Sequence, residues 1–429
     1  MTLVLLTPGT GTFYCGSCIR DDGLARGLAR AGRDVWMVPL YLPQVTEVES
    51  TVADAPICFG GINVYLQQHS ALFRRTPAWI DRLLDQPWLL RAAASLSDMT
   101  NTAAHGPLTV SMLRGEEGNQ RKALDQLLSL LADHRPPPTA VCLSNALLVG
   151  LARRLREELR VPVVVTLQGE DAFLDSLAEP DRASAWEEMG LRIRDVDALV
   201  AVSRYYGDAM QQRLGFDRAK LHVIHNGIDV DGYEPAAADP APPVLGYLAR
   251  LTAGKGLDRL AEAFLVLRKR PELAGLRLHV AGSIAPGDEA YLESVRQRLS
   301  SAGAAPDVEI RTNLSLAEKQ AFLRSFSVLC VPATYGESFG LYLLEAWASG
   351  VPVVQPPVAS FPELVAATGG GRLAESAEPE ALAAALGALL ADPAERRELG
   401  RLGRAAVLER FTLDRMTREF LALVDGLAR

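Results

Sequence analysis

The sequence lacks any apolar run long enough to span a membrane, although it has 429 residues. A membrane-spanning helix needs about 20 consecutive, mainly apolar residues. The apolar run at the N-terminus, Leu3 to Leu6, is far shorter and has no basic residue before it. The sequence therefore predicts neither a secretory leader nor a membrane span, and we expect a cytoplasmic protein. The sequence has no obvious basic, aromatic amphipathic helix that would support contact with a membrane.

Basic charge is also scarce. The net charge is −8, with a balance of −6 up to Glu234 and −2 beyond it, and only five residues are lysines. Neither half has the basic excess of a nucleic-acid-binding protein, so nucleic acid is not an expected partner. There are five cysteines, and an odd number in a chain of this length argues against a disulfide scaffold.

What remains is the composition of a large α/β protein. Hydrophobic residues make up 48% of the chain, enough for two domains of roughly 200 residues each. Short apolar runs alternate with helical patterns in both halves, which predicts two parallel, doubly wound sheets. The expected strands are 3–7, 35–38, 140–143, 161–166, 198–202, 221–224, 244–247, 276–281, 308–310, 327–332 and 351–355. Helices are expected at 257–268, 289–299, 316–325, 341–349, twice within 378–408, and at 413–427.

An Ala/Pro-rich stretch, 232–243, divides this alternation in two. We expect an N-terminal Rossmann-like domain over 1–235 and a C-terminal Rossmann-like domain over 236–408. The last helix, within 409–429, is expected to pack back on the first domain. Ligands of open α/β sheets lie beyond the carboxyl ends of the strands. The sequence therefore predicts that the chemistry takes place in a cleft between the two domains.

The strongest functional signal lies at a predicted helix start in the second half. Amide groups of Ser338, Phe339 and Gly340 would meet the positive end of the helix dipole, which suits phosphates. Glu337 precedes these amides, and Glu345 lies one to two turns into the helix. The two carboxylates suit the hydroxyls of a sugar and a ribose. Because eight residues separate them, they would serve opposite ends of an extended ligand.

A diphosphate also needs cations, and a second loop supplies them. Arg250 and Lys255 lie between the first strand and the first helix of the second half. The guanidinium can bind phosphate as a fork and the ammonium as a point charge. Each residue has a plain alternative: Arg250 and Lys255 as a solvated loop, Glu345 as an exposed helix residue. Their joint occurrence, in this order, favours a site.

Together these segments resemble the retaining glycosyltransferases of the GT-B fold, sequence family four (glycosyl transferases group 1). The resemblance covers residues 195–375 well and the first half loosely. It rests on Glu337-x7-Glu345 with its Ser-Phe-Gly, the loop from Arg250 to Gly256, His225-Asn-Gly-Ile-Asp229, Gly282 after a strand, and Gly350-Val-Pro-Val-Val354.

The resemblance implies a two-domain hexosyltransferase that needs neither cofactor nor metal. Such an enzyme moves a sugar from a nucleoside-diphosphate sugar to a hydroxyl acceptor and retains the anomeric configuration. Arg250 and Lys255 would bind the diphosphate, Glu345 the ribose and Gly282 the donor, with Glu337 beside the donor sugar. Glu337 is the one candidate for a protein nucleophile.

Weaker signals in the first half concern the acceptor. Gly16 ends a glycine-containing loop whose G-x-G-x-x-G spacing fails at Tyr14. The resemblance places Gly16 beside the diphosphate or the acceptor, and a plain turn glycine is the alternative. Gln168 stands where the resembling enzymes often have histidine; an amide can bind a sugar but cannot act as an acid or base. His105 and Asn145 are further acceptor candidates, with a turn and a helix N-cap as their structural alternatives.

Other motifs lead to rival functions. Cys15 and Cys18 have the C-x-x-C spacing of redox proteins, and loop packing is the alternative. The D-x-D pairs at 195–197 and 229–231 lie in contexts that do not place a metal, so we interpret them as chance. The rival functions are a nucleotide-sugar epimerase on the same fold and a non-catalytic nucleotide-sugar-binding or redox protein.

Overall fold

The computed structural model contains two six-stranded sheets, each with parallel strand pairing throughout. It describes residues 2–9, 16–42, 59–77, 86, 89, 102–285 and 287–427. The chain forms two compact units. Unit 1 comprises Met1–His225 with Met416–Arg429, and unit 2 comprises Asn226–Arg415. No helix among the described residues is long and apolar enough to cross a membrane.

The sheet of unit 1 has the order β2-β1-β3-β4-β5-β6. Its strands are β1 (Thr2–Thr7), β2 (Asp34–Pro39), β3 (Pro138–Leu143), β4 (Val163–Leu167), β5 (Ala198–Ala201) and β6 (Leu221–Val223). All residues of β1, β4 and β5 are buried, as expected of a parallel sheet covered on both faces. Among the described residues, the helices of unit 1 are α1 (Gly16–Arg30), α2 (Gly61–His69), α3 (Thr102–Leu113), α4 (Arg121–Asp133), α5 (Ala152–Leu159), α6 (Glu170–Asp175), α7 (Asp181–Arg192) and α8 (Arg204–Leu214).

The sheet of unit 2 has the order β12-β11-β10-β7-β8-β9. Its strands are β7 (Val244–Leu248), β8 (Arg277–Gly282), β9 (Val308–Thr312), β10 (Val328–Leu329), β11 (Val353–Gln355) and β12 (Gly371–Leu373). The helices are α9 (Leu257–Leu267), α10 (Glu289–Ser301), α11 (Leu316–Leu323), α12 (Leu341–Ala348), α13 (Phe361–Thr368), α14 (Pro379–Leu390) and α15 (Pro393–Arg410), followed by α16 (Leu413–Leu427), most of which belongs to unit 1.

Each sheet reverses its strand order at one place, and that place predicts where a ligand binds. Unit 1 reverses between β1 and β3, and unit 2 reverses between β7 and β10. Doubly wound sheets bind ligands beyond the carboxyl ends of the strands at this switch point. In unit 2 the loops that follow β7 and β10 carry Lys255 and Glu337. The fold alone therefore brings these two sequence segments together.

Some predicted elements differ from the structure. The strand predicted over 327–332 is reduced to two residues, since the chain leaves the ladder before Pro332, which has no N–H to donate. The sequence analysis missed α13 and β12; the strand β12 is short and half exposed and offers no apolar pattern. The turn predicted at His105 is wrong, because His105 lies inside α3.

Candidate functional site

The switch point of unit 2 holds a mostly buried ion pair. Lys255 lies in the loop after β7, and Glu337 lies in the loop after β10. Lys255 Nζ forms a close ion pair with Glu337 Oε2, and the two side chains are 15% and 10% exposed. Gly256 lies between Lys255 and the first residue of α9, and its φ of 72° is a backbone conformation that favours glycine. The pair therefore joins the two loops where a ligand is expected.

Three tyrosines surround this pair, and the sequence analysis identified none of them. Tyr342 donates its hydroxyl to Glu337 Oε2 at 3.1 Å. Lys255 Nζ lies 4.9 Å from the ring centroid of Tyr335 and 5.4 Å from that of Tyr342, within the range of cation–π attraction. The Tyr247 hydroxyl donates to the carbonyl oxygen of Arg250, in the loop after β7, at 3.3 Å. The rings of Tyr335 and Tyr342 thus contact the ammonium group, and Tyr247 contacts the backbone of the loop that carries it.

The electrostatics of the site keep Lys255 charged. Burial, the largest single effect, would lower the pKa of Lys255, but the interactions with Glu337 and Tyr335 together outweigh it, and the pKa of Lys255 is raised. Burial raises the pKa of Tyr335 to about 12, so its phenol stays neutral. Because the folded pKa of Lys255 lies above its unfolded value, its charge is present at every pH below about 10. A permanent cation is therefore available to an anionic ligand.

Arg250 is oriented by a carboxylate. Its Nε and Nη2 donate to Asp288 Oδ2 at 3.2 and 3.1 Å. The Arg250 side chain is 37% exposed, whereas Asp288 is largely buried. The same Asp288 oxygen accepts from the backbone N–H of Ala285 at 3.2 Å. The guanidinium is thereby held over the carboxyl end of the sheet with part of its surface open to a ligand.

The segment before α12 has the geometry expected from its sequence. Gly340 begins the helix with φ of 91°, a conformation that other residues adopt at a cost. Ser338 and Phe339 are buried. Ser360 anchors the segment, since its Oγ donates to the carbonyl oxygen of Phe339 at 3.0 Å and its N–H to that of Glu337 at 3.3 Å. Glu337 is thus held in place through its backbone as well as its side chain.

Glu345 makes a second buried ion pair. Its Oε1 accepts from Lys319 Nζ at 2.6 Å and from the Tyr233 hydroxyl at 3.0 Å. The side chains of Lys319 and Glu345 are 8% and 11% exposed. The alternative of Glu345 as an exposed helix residue is therefore wrong, while its role toward a ribose stays a prediction. Lys319 was missed, although the scarcity of lysine in this chain marks it out.

Gly282 has a structural explanation. A Cβ at this last residue of β8 would lie 1.8 Å from the carbonyl oxygen of Ala249. The backbone N–H of Leu251 donates to the carbonyl oxygen of Ser283 at 2.9 Å, which joins the loops after β7 and β8. Glycine lets these loops approach closely, and one of them carries Arg250. The contact of Gly282 with the donor stays a prediction.

We expect the Gly282→Ala substitution to destabilise the protein by about 1–3 kcal/mol, because the added methyl group overlaps backbone that cannot rotate away. Hydrogen exchange of peptides from β8 measures this within unit 2, and peptides from α7 report the control within unit 1. Gly190→Ala is the matched control, since a Cβ at Gly190 in α7 has one neighbour, at 3.9 Å. That control should be neutral or slightly stabilising. Equal stability of the two variants would contradict the structural role of Gly282.

Of the first-half candidates, Asn145 and Gln168 follow the carboxyl ends of β3 and β4, and Gly16 follows β1 in the sequence. Gln168 follows β4, and its Nε2 donates to the carbonyl oxygen of Ser144 at 2.6 Å and to Asp21 Oδ1 at 3.4 Å. Asp21 accepts from the Ser144 hydroxyl and from Arg20 Nη1, the latter at 2.9 Å. Burial raises the pKa of Asp21 against the opposing effect of Arg20. Gly16 is the first residue of α1 and is exposed.

A buried carboxylate organises the loop that holds Gln168. Glu170 accepts from the backbone N–H of Ala146 at 2.9 Å and from the Tyr206 hydroxyl at 2.8 Å, and also from the N–H groups of Gln168 and Gly169. Burial raises the pKa of Glu170, and these hydrogen bonds oppose the shift. The Glu170 side chain thus fixes the backbone at Gln168. The sequence analysis did not single out Glu170.

Asn145 and His105 have structural surroundings. Asn145 Oδ1 accepts from the backbone N–H of Leu147 at 3.1 Å and caps a 3₁₀ turn, so the N-cap interpretation is confirmed. His105 is half-buried within α3, and its carbonyl oxygen accepts from the Thr109 hydroxyl at 2.9 Å. The acceptor roles of Gly16, Gln168, His105 and Asn145 stay predictions.

The rival motifs have ordinary contacts where the structure describes them. Asp195 pairs with Arg153 at 3.2 Å, and Asp197 accepts from the backbone N–H of Val163 at 2.8 Å. Cys18 is buried in α1, whereas its C-x-x-C partner Cys15 lies outside the described residues. Among the described residues no group of three His, Cys, Asp or Glu side chains is placed to hold a metal.

Comparison with protein families agrees with this geometry. The family described as glycosyl transferases group 1 matches residues 234–406, and the family described as glycosyltransferase family 4 matches residues 87–231. The two matches are consecutive and together take up about three quarters of the chain. Both halves of the chain therefore match glycosyltransferase families, and the enzyme class of the protein is glycosyltransferase.

Individual relatives carry the name D-inositol 3-phosphate glycosyltransferase. The protein of Segniliparus rotundus is 31% identical over 58% of this chain and 58% of its own length. That of Mycolicibacterium smegmatis is 26% identical over 72% of this chain and 73% of its own length. Among solved structures, sucrose-phosphate synthase from Thermosynechococcus elongatus has a TM-score of 0.73 at 18% identity, covering 100% of this chain and 99% of the other. Anabaena HepE in complex with UDP and glucose has a TM-score of 0.67 at 16% identity and full coverage of both chains. The predicted GT-B fold is confirmed.

Proposed function

We propose that this protein transfers a sugar from a nucleoside-diphosphate sugar to a hydroxyl acceptor, with retention of the anomeric configuration and without a metal ion. The observation that carries the proposal is the cluster of Lys255, Glu337 and Arg250 at the β7/β10 switch point, where doubly wound sheets bind ligands. The HepE structure with UDP and glucose supports a nucleotide-sugar donor.

The cations of the cluster would act on the leaving group. Transfer breaks the bond between the anomeric carbon and a diphosphate oxygen, and the electron pair of that bond remains on the diphosphate. Lys255 and Arg250 would stabilise the growing negative charge, since fixed positive groups act most strongly where charge develops. The amide groups at the start of α12 would add the positive end of a helix dipole. These groups supply the charge that a metal ion supplies in other enzymes.

The environment of Glu337 supports a one-step retaining route. A two-step route needs a carboxylate nucleophile, and Glu337 is the candidate. Its carboxylate is mostly buried, paired with Lys255 and hydrogen-bonded by Tyr342, which lowers its nucleophilicity. We therefore propose that the acceptor oxygen attacks the face that the diphosphate leaves. The acceptor proton passes to a phosphate oxygen, and Glu337 binds a sugar hydroxyl.

Nucleotide binding and transfer test the proposal. We expect UDP, GDP or ADP to raise the melting temperature by several degrees at saturation, because a ligand that binds only the folded state stabilises it. The matching nucleotide-sugar is then incubated with a panel of hydroxyl acceptors, beginning with D-inositol 3-phosphate, in the presence of EDTA. The proton NMR spectrum of the product reports its anomeric configuration.

Each outcome separates the rival functions. Rearranged sugar formed from donor alone indicates an epimerase. Nucleotide binding without transfer or hydrolysis of any donor indicates a binding protein. Loss of transfer in EDTA, restored by Mg²⁺ or Mn²⁺, contradicts the metal-independent mechanism, and an inverted product contradicts retention.

A further inference from the structure

A second basic site lies in unit 2, beside the far end of the helix that carries Glu345. Residues from the stretch before β7, from the end of α12 and from α15 surround a cavity of about 710 Å³. Five arginines line this cavity, against one acidic residue, Asp239. We call this cavity the arginine pocket; its arginines are Arg324, Arg396, Arg397, Arg401 and Arg404.

Two polar groups in the arginine pocket have no partner among the described residues. The Oγ of Ser349, which is 2% exposed, makes no hydrogen bond. The guanidinium of Arg324, which is half-buried, likewise makes no hydrogen bond or ion pair with the described residues. Buried polar groups are normally hydrogen-bonded, so an unpaired hydroxyl in a residue that lines the cavity is unusual.

Two of the remaining arginines have exposed acidic partners that a ligand can replace. Arg397 pairs with Asp239 at 2.8 Å and Arg401 with Glu398 at 2.7 Å, and both arginines are more than 60% exposed. Pairs of this kind contribute little to stability. A phosphate with several oxygens can accept from more than one guanidinium and so displace Asp239.

The rest of the lining is apolar and limits the class of ligand. Pro235, Phe326, Val351 and Leu408 line the same cavity as the arginines. A cavity of this size and mixed character suits a small organic molecule with an apolar body and a few polar groups. We propose that the arginine pocket binds a small phosphorylated organic molecule, and that this site is separate from the proposed diphosphate-binding site at Lys255.

Calorimetry with phenyl phosphate tests this on the full chain. The titration is run with UDP at saturation and repeated without UDP on the Lys255→Met protein, so its outcome does not depend on the proposed function. We expect one site with a Kd of about 1 mM or tighter. Arg397→Ala/Arg401→Ala should weaken binding at least about tenfold, because each arginine contributes charge-assisted hydrogen bonds. Inorganic phosphate, which has no apolar body, should bind several-fold more weakly.

Two further variants guard against a general charge effect. Arg298→Ala/Arg311→Ala removes two exposed, acid-paired arginines of unit 2 that do not line the pocket, and it should bind as the wild type does. Asp239→Asn removes the competing carboxylate and should tighten binding at least twofold. Absence of binding to the wild type, or equal weakening in both arginine pairs, overturns the proposal. Equal affinity for phenyl phosphate and inorganic phosphate overturns the proposal that the ligand has an apolar body.

Discussion

Lys255→Met is expected to lower kcat/KM for sugar transfer by about 10²–10³, the loss typical of removing one group that stabilises transition-state charge. Lys255 is the buried cation at the β7/β10 switch point, and its pKa is raised because the interactions with Glu337 and Tyr335 together outweigh the burial that alone would lower it. Methionine has a similar length but no charge. In this variant, only Arg250 and the amide groups at the start of α12 would remain to stabilise the charge on the leaving diphosphate.

A matched control and a double variant separate charge from folding. Lys269→Met removes an exposed lysine of the same unit and should keep kcat/KM within about twofold. Lys255→Met leaves the mostly buried Glu337 without its cation, which also destabilises the fold. Lys255→Met/Glu337→Gln should recover stability but not activity. Steady-state kinetics and thermal denaturation of all four proteins measure this. Full activity of folded Lys255→Met would contradict the diphosphate assignment.

The architecture was predictable because its signals are local. Strands such as β1 and β4 are continuous apolar runs, and α16 covers Leu413–Leu427, the range that its apolar stripe predicts. The alternation of such elements implies parallel sheets, and parallel sheets place Arg250 and Glu337 in loops at their carboxyl ends. Both the fold and the position of the donor-half candidates follow from patterns within short windows.

The partners of the site residues were not predictable, because they are distant in sequence. Glu345 meets Lys319, 26 residues away, and Tyr233, 112 residues away. Gln168 meets Asp21, 147 residues away. No periodicity encodes such contacts, since they arise only when helices and loops pack. The hydroxyl and phosphate groups of a nucleotide-sugar predict carboxylates and cations in its binding site. They do not predict that the carboxylates pair with lysines within the fold.

The Lys319–Glu345 pair carries the largest expected effect on stability. Both side chains are about nine-tenths buried, and Tyr233 is the second donor to the same carboxylate oxygen. Removing one partner of a buried ion pair typically destabilises a protein by about 3–5 kcal/mol, because a charge is left buried and uncompensated. We expect Lys319→Met to show a loss of this size. Arg311→Met, which breaks an exposed pair with Glu309, should cost less than about 1 kcal/mol.

Hydrogen exchange of peptides from α11 and α12 reports this loss within unit 2, where whole-chain denaturation of a two-unit protein is not a single transition. Lys319→Met/Glu345→Gln should recover at least half of the lost stability, since both charges are then removed together. The double variant also isolates the ribose role of Glu345. If Glu345 accepts from a ribose hydroxyl, the recovered protein should still bind nucleoside diphosphate about tenfold more weakly than the wild type, because hydrogen bonds to charged groups contribute about 1.5–3 kcal/mol. Nucleotide affinity equal to that of the wild type would leave Glu345 with a purely structural function.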